Sequence, residues 1–232
     1  MPVGVLVNTT AVLVGGILGA LMGEKIPQRI NQALTGVFGL CAMTMGTYLI
    51  VQLSSLSAVV MAMIVGALIG ELLNLEQSLS RGLNRLAGKL PGAALSAEQL
   101  DNVISMIILF CFSGTGLFGA MNSGISGDHS ILIAKAIMDF FTAIIFGATS
   151  GYLVGAIAVP QMCIGTVLFS LGSVLVPMLN EAMIGDFKAV GGIITLAVGL
   201  KIAKIRTFAV INMIPALVLV FFISYAWQQL PF

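Results

Sequence analysis

The sequence predicts an all-α polytopic membrane protein with about eight transmembrane helices, and three observations carry that prediction. Hydrophobic residues make up 59% of the 232 residues and charged residues 8%, with a mean hydropathy of +1.11. A soluble domain carries roughly 25% charged residues, so lipid must solvate most of this chain. The apolar runs are long and continuous. Spanning β-strands would alternate over segments of about ten residues, whereas helices satisfy their own backbone in lipid. Finally, Lys and Arg gather in a few connections that fall on one side when eight spans are drawn.

In chain order, the expected spans run from Val3 to Met22, Ile30 to Val51, Ser54 to Leu73 and Glu98 to Met121. The others run from Ser130 to Val159 (with an interruption allowed), Gln161 to Leu179, Asp186 to Ala203 and Arg206 to Gln228. Lys25 and Arg29 follow span 1, Arg81, Arg85 and Lys89 follow span 3, and Lys201, Lys204 and Arg206 follow span 7. The opposite side holds Lys188 with Asp128, Glu181 and Asp186. The basic side is therefore read as cytoplasmic, with both termini outside. Seven spans would put one basic cluster outside. The N-terminus lacks the positive region of a signal peptide, so span 1 is expected to be retained.

Between Glu71 and Leu90, leucines 72, 75, 79, 83, 86 and 90 share one face, and Arg81, Arg85 and Lys89 step by four on another. This reads as an amphipathic helix lying on the cytoplasmic surface, its basic side toward anionic headgroups. A solvated linker helix is the alternative. Pro91-Gly92 ends it, and Ser96, with Gln99 three residues on, caps the next span. The chain thus divides into a first membrane unit (1–73), a cytoplasmic amphipathic connector (74–95) and a second membrane unit (96–232).

Several function classes are set aside. A net charge of +1 offers nothing to nucleic acid. Cys41, Cys111 and Cys163 sit in apolar runs without ligand spacing, and are read as buried small hydrophobes. With one histidine, His129, and neither HExxH nor GxSxG, no enzyme, metal site or cofactor is expected. The expected partners are the lipid bilayer and a small solute or ion.

Three rows of glycine at fourfold spacing stand out: Gly15, Gly19 and Gly23; Gly66 and Gly70; and Gly147, Gly151 and Gly155. Such rows let helix backbones approach closely in lipid. They serve either packing within one subunit or a homodimer contact. GILGALMG (Gly16 to Gly23) also matches GLFGAMNS (Gly116 to Ser123), and ALTGVFGL (Ala33 to Leu40) matches AVGGIITL (Ala189 to Leu196). These pair span 1 with span 4 and span 2 with span 7, an odd separation each time. Odd separations relate helices of opposite direction, the arithmetic of an inverted-topology repeat.

The sharpest chemical signal lies in span 5. Lys135 and Asp139, four residues apart, share a face. At 1.5 Å per residue, Asp139 lies about 13–14 Å from Ser130, near the middle of a hydrocarbon core of about 30 Å. An unpaired charge there costs roughly 2.5–3.5 kcal/mol on insertion scales. A polar cavity holding the pair would offset that, as would protonation of Asp139. A buried ion pair locking span 5 to its neighbours is a second reading. A third starts the helix later and leaves Lys135 at the surface. Upstream, FSGTGLFGAMNSGISGDHS carries Ser113, Thr115 and Asn122 to membrane depth and offers Asp128 and Ser130 as caps for span 5. Asn8, near the outer end of span 1, and Asn212, three residues before Pro215, are further candidates for ligand contact or for packing. Asp186 is read as the cap of span 7, Glu71 as interfacial and His129 as an exposed loop residue.

The run SGTGLFGAMNSGISGDHSILIAKAIMDFFTA, with VNTTAVLVGG at the start and VINMIPAL late, resembles the YqgA/YdfK-type family, domain of unknown function 554. The resemblance covers nearly the whole chain and implies a polytopic protein of the bacterial cytoplasmic (inner) membrane. It brings no activity, substrate or catalytic residue with it. Function therefore rests on the residues. They suggest a transporter or ion-conducting protein for a small polar or ionic solute, with proton or cation coupling through Asp139. The alternative is a non-transporting scaffold or regulator that uses its glycine faces as partner interfaces.

Overall fold

Each apolar run becomes a helix because lipid leaves the backbone no other partner. The computed structural model describes residues 1–23, 27–87, 106–107 and 109–229, and for 28, 31, 32, 35, 83, 84, 86, 87 and 114 the backbone alone. Among these, helical residues include 106, 107 and 109–111 and, in order, α1 (Val3–Met22), α2 (Gln28–Ile50), α3 (Leu56–Leu72), α4 (Leu75–Ala87), α5 (Gly114–Ser126), α6 (Ser130–Ser150), α7 (Leu153–Ala156), α8 (Ala158–Leu175), α9 (Glu181–Ile202) and α10 (Pro215–Gln228). The described residues contain no strand. The chain is a polytopic helical membrane protein.

Five helices are long and apolar enough to cross a membrane: Val3–Met22, Ser130–Ser150, Leu153–Met178, Glu181–Ile202 and Val210–Gln228. A sixth results if Leu56–Leu72 and Leu75–Gly82, bent by 47°, count as one span, and Gly36–Ile50 is a shorter apolar helix. The expected eight is not reached on this criterion among the described residues. Span 4 falls partly outside those residues, as do Ser96, Pro91-Gly92, Lys89 and Lys25. What is described of it breaks at Phe112 and Ser113 before α5 begins.

Several boundaries differ from the sequence expectation. Span 5 ends at Gly151, whose φ of +67° turns the chain, so Leu153 to Val159 belong to the next rod. The seventh helix starts at Glu181, capped by Asn180, whose side chain accepts from the Met183 N–H at 2.9 Å. The last span opens with a 3-10 turn at Val210–Met213, because Pro215 has no N–H to continue a helix backwards. The amphipathic segment forms α4, and a bend with Asn74 at φ +48° separates it from α3. Cys111 is buried, but Cys41 and Cys163 lie on the bundle surface. An apolar run in lipid has no obligation to face inward, so burial was the wrong inference for these two.

α9 is the central post, 67% buried against 28–44% for the other candidate spans. Phe187 on α9 stacks on Phe221 of α10 at 4.9 Å and meets Phe118 of α5 at 5.0 Å. Gly191 leaves room for the Phe118 ring. Asp186, fully buried, does not cap its own helix. Its carboxylate accepts from Ser54 N (2.9 Å), Ser55 N (2.7 Å) and Ser224 Oγ (2.7 Å). It thus caps α3 from across the bundle, placing a negative charge at the positive end of that helix.

Glycine sets the helix pairs. A Cβ built on Gly15 would lie 2.5 Å from the carbonyl oxygen of Phe140, one on Gly147 2.6 Å from that of Gly16, and Gly19 abuts Ile144. α1 and α6 therefore run parallel with their backbones in contact. α2 and α9 run antiparallel: a Cβ on Gly46 would lie 2.7 Å from the oxygen of Gly192, and one on Gly192 2.7 Å from that of Gly46. Gly39 and Gly46, with Gly192 and Gly199, form this seam at sevenfold spacing, and Gly185, seven residues before Gly192, meets Gln52 and Ser54 just past the end of α2. Gly66 against Ala216 (2.5 Å) and Gly70 against Asn212 join α3 to α10. The fourfold rows are only partly packing rows. Gly23 and Gly151 have positive φ at helix ends with nothing within 4 Å, and Gly155 makes ordinary contact with Leu13 at 3.5 Å.

Two substitutions in α2 separate packing from propensity. Gly46→Val should lower unfolding stability in detergent by about 1–3 kcal/mol through overpacking. Gly36→Ala, where a Cβ meets nothing within 4 Å, should leave it unchanged or raise it by up to about 1 kcal/mol. Equal effects in thermal or denaturant titrations would contradict the seam.

Candidate functional site

The α1–α6 contact places the site. Because glycine lets the two backbones touch, the short amide of Asn8 on α1 reaches Asp139 on α6. Asn8 Nδ2 donates to Asp139 Oδ2 at 2.8 Å. Lys135, one turn before Asp139, donates to the same oxygen and forms a salt bridge with it. Gln161 on α8 donates through Nε2 to Asn8 Oδ1 at 2.6 Å and, more weakly, to Asp139 Oδ2 at 3.4 Å. The four residues are 3–7% exposed, so the protein itself supplies the solvation of both charges. A buried pair persists only where hydrogen bonds satisfy the remaining lone pairs and protons, and Asn8 and Gln161 do this for one oxygen of the carboxylate, Oδ2.

Two cavities flank the cluster. The larger, about 620 Å³, is lined by Asp139 and Ser113 at one end and by Thr149, Ser150, Lys201 and Glu76 toward the other. Thr149 and Lys201 are exposed, and Lys201 pairs with Glu76 at 3.5 Å. The smaller, about 20 Å³, lies on the far side of Asn8 and Gln161 and is also lined by Thr9, Gly116 and Leu132. Thr9 Oγ1 and Gln161 Oε1 are buried there without a hydrogen-bond partner among the described residues. The space suits a single water. Val5 and Ala120 line it too and pack with Leu132 as an apolar cluster.

Of the candidates read from sequence, Asp139, Lys135 and Asn8 meet in one cluster, and Ser113 lines the large cavity. Ser113 also caps α5, accepting from Gly116 N at 3.1 Å. Thr115 and Asn122 are buried with Thr115 Oγ1 and both Asn122 amide atoms unpartnered among the described residues. Neither borders a cavity described above. Asn212 is outside the site: its Oδ1 accepts from Glu76 N at 2.8 Å and fastens the bent α3–α4 joint to the last span. Asp128 lies in the loop before α6, where His129 is the N-cap residue. Hydrogen bonding to Ser130, with help from Lys188 and His129, holds its carboxyl below the usual carboxylate range despite partial burial. Its Oδ1 accepts from Ser130 N at 2.8 Å. His129 is half-buried rather than exposed and is hydrogen-bonded to Ser123. Gln161 escaped the sequence reading because it was placed at the start of a span. Extending that span back to Leu153 would have put an amide deep in an apolar run.

Removing one partner of the buried pair leaves the other uncompensated. Lys135→Met and Asp139→Leu should each destabilise the protein in detergent by about 3–5 kcal/mol, and the double variant should recover most of that loss. Additive losses in unfolding titrations would contradict the pairing.

A family model described as a protein of unknown function, DUF554, matches residues 3–225. The uncharacterized protein YqgA of Escherichia coli (strain K12) is 42% identical over 230 residues, covering 98% of each chain. The uncharacterized membrane protein YdfK of Bacillus subtilis (strain 168) is 24% identical over 227 residues, covering 97% of each. No solved structure matches. With the family model spanning nearly the whole chain and a relative at this identity over almost its full length, the chain belongs to the DUF554 family.

Proposed function

We propose that this protein is a transporter or ion-conducting protein for a small polar or ionic solute, with Asp139 as the residue that binds or titrates. One observation carries the reading: a carboxylate buried among spanning helices lines a cavity of about 620 Å³ that reaches exposed Lys201 and Thr149. A carboxylate serving only to lock helices has no need of a cavity. Intramembrane ionisable groups beside cavities mark solute and ion pathways by default. Val5, Ala120 and Leu132 pack around the small cavity on the opposite side and make that approach much the narrower one, which fits an alternating-access carrier.

The same reading includes eight spans, inverted repeats and insertion in the bacterial inner membrane with the basic side cytoplasmic and both termini outside. Parallel α1 and α6, four spans apart, and antiparallel α2/α9 and α3/α10, five apart, fit rods that alternate in direction. α2 and α9 are the pair that the sequence match joins, although the match aligns Gly36 with Gly192 and the contact joins Gly46 to Gly192. Gly15, Gly19, Gly66 and Gly70 are engaged within the chain, which weighs against a scaffold that offers them to partners.

Purified protein in liposomes should move protons or sodium ions above the empty-vesicle background, and Asp139→Asn should reduce that flux by about tenfold or more. Flux unchanged in Asp139→Asn would reject the role given to Asp139.

A further inference from the structure

Lys135 and Asp139 form one ion pair, yet they do not face the large cavity alike. Asp139 lines it, whereas Lys135 does not. The lysine stem lies across α5 instead, its Cε 3.0 Å from a Cβ built on Gly116. Lys135 Nζ, Asn8 Nδ2 and Gln161 Nε2 all converge on Oδ2 of Asp139. Among the described residues none donates to Oδ1. The charged group that the inner end of the cavity presents is therefore an acceptor with one oxygen that no described residue engages.

The surroundings narrow what fits that oxygen. The walls are mostly apolar, with Phe38, Phe112, Phe146 and Met138 among them. The Thr142 hydroxyl in the wall is already committed to the Met138 carbonyl at 2.8 Å. At the other end Lys201 and Glu76 neutralise each other, so among the described lining residues no net positive charge draws an anion inward. The volume lies within the range of about 300–1,000 Å³ typical of sites for organic ligands. A divalent metal ion such as calcium or magnesium seeks six or more oxygens, and the described walls leave most of that shell unmet. Aromatic ring faces, in contrast, attract organic cations.

We infer that the cavity binds an organic cation, a protonated amine carrying an apolar or aromatic body. Its nitrogen donates to Oδ1 of Asp139, and its body lies against Phe38, Phe112 and Phe146. This inference rests on the transport reading and names the solute class for the same site.

The test is calorimetric titration of the purified full-length protein in detergent with three probes of similar shape: 3-phenylpropylammonium, 3-phenylpropanoate and 3-phenylpropan-1-ol. The ammonium should bind at least about tenfold more tightly than the other two. Because Asp139→Asn strands the Lys135 ammonium, the Lys135→Met/Asp139→Asn variant, which removes both charges, is titrated beside it. Both variants should weaken the ammonium by about tenfold or more and change the alcohol by less than about threefold. Preference for the carboxylate would overturn the cation assignment, and ammonium binding unaltered by both variants would overturn the role of Asp139. Binding of no probe would overturn the organic class. If Asp139-dependent ion flux in liposomes survives that result, the transport reading stands without it; if that flux is also absent, both fall.

Discussion

The structure is organised around one carboxylate in a place where carboxylates are expensive. Asp139 lies about nine residues into a spanning helix, and its charge is held by three donors from three helices: Lys135 on α6, Asn8 on α1 and Gln161 on α8. Short amides reach only a few ångströms, so the cluster requires α1 and α6 to touch. Gly15, Gly19 and Gly147 meet that requirement. The polar cluster and the glycine seam are thus two halves of one constraint: the seam brings the donors in, and the donors give the close pair a reason to stay in register.

The same logic recurs across the bundle with different chemistry. Asp186 is equally buried, but its partners are the Ser54 and Ser55 N–H groups and the Ser224 hydroxyl. The helix end it caps supplies the positive counterpart, and neither cavity described above reaches it. Two buried carboxylates therefore take two roles. Asp186 ties α3 to α9 and α10 beside the central aromatic stack, whereas Asp139 has one oxygen that no described residue engages, beside a large cavity. Burial does not distinguish these two acids; the placement of donors does, over both oxygens of Asp186 and, among the described residues, on one oxygen of Asp139.

Much of this was readable in the sequence, and the failures have physical causes. The Lys135–Asp139 pair followed from helical spacing and from the cost of charge in lipid, both local properties. Asn8 entered as a candidate because amides in a span need partners, but nothing local named the partner. Gln161 was missed because a helix boundary placed it at the membrane surface, an error of eight residues that turned a buried amide into a terminal one. Asp186 looked like a cap from its position near a helix start, and it is a cap, but of a helix about 130 residues away in sequence. Glycine rows at fourfold spacing stand out within one helix, whereas the sevenfold seam takes its meaning only from the pairing of α2 with α9. Long-range pairing of this kind leaves no trace in a single helix.

Everything functional depends on water reaching the neighbourhood of Asp139 from the basic side. Thr142 lines the large cavity one turn beyond Asp139. The most direct measurement places a cysteine there, Thr142→Cys, with Cys41, Cys111 and Cys163 replaced by alanine, and treats the protein in sealed vesicles of known orientation with a charged, membrane-impermeant thiol reagent. The account predicts modification when the reagent faces the side bearing Lys201 and protection when it faces the other. Protection from both sides would mean a dry cavity, and the transport reading would be wrong.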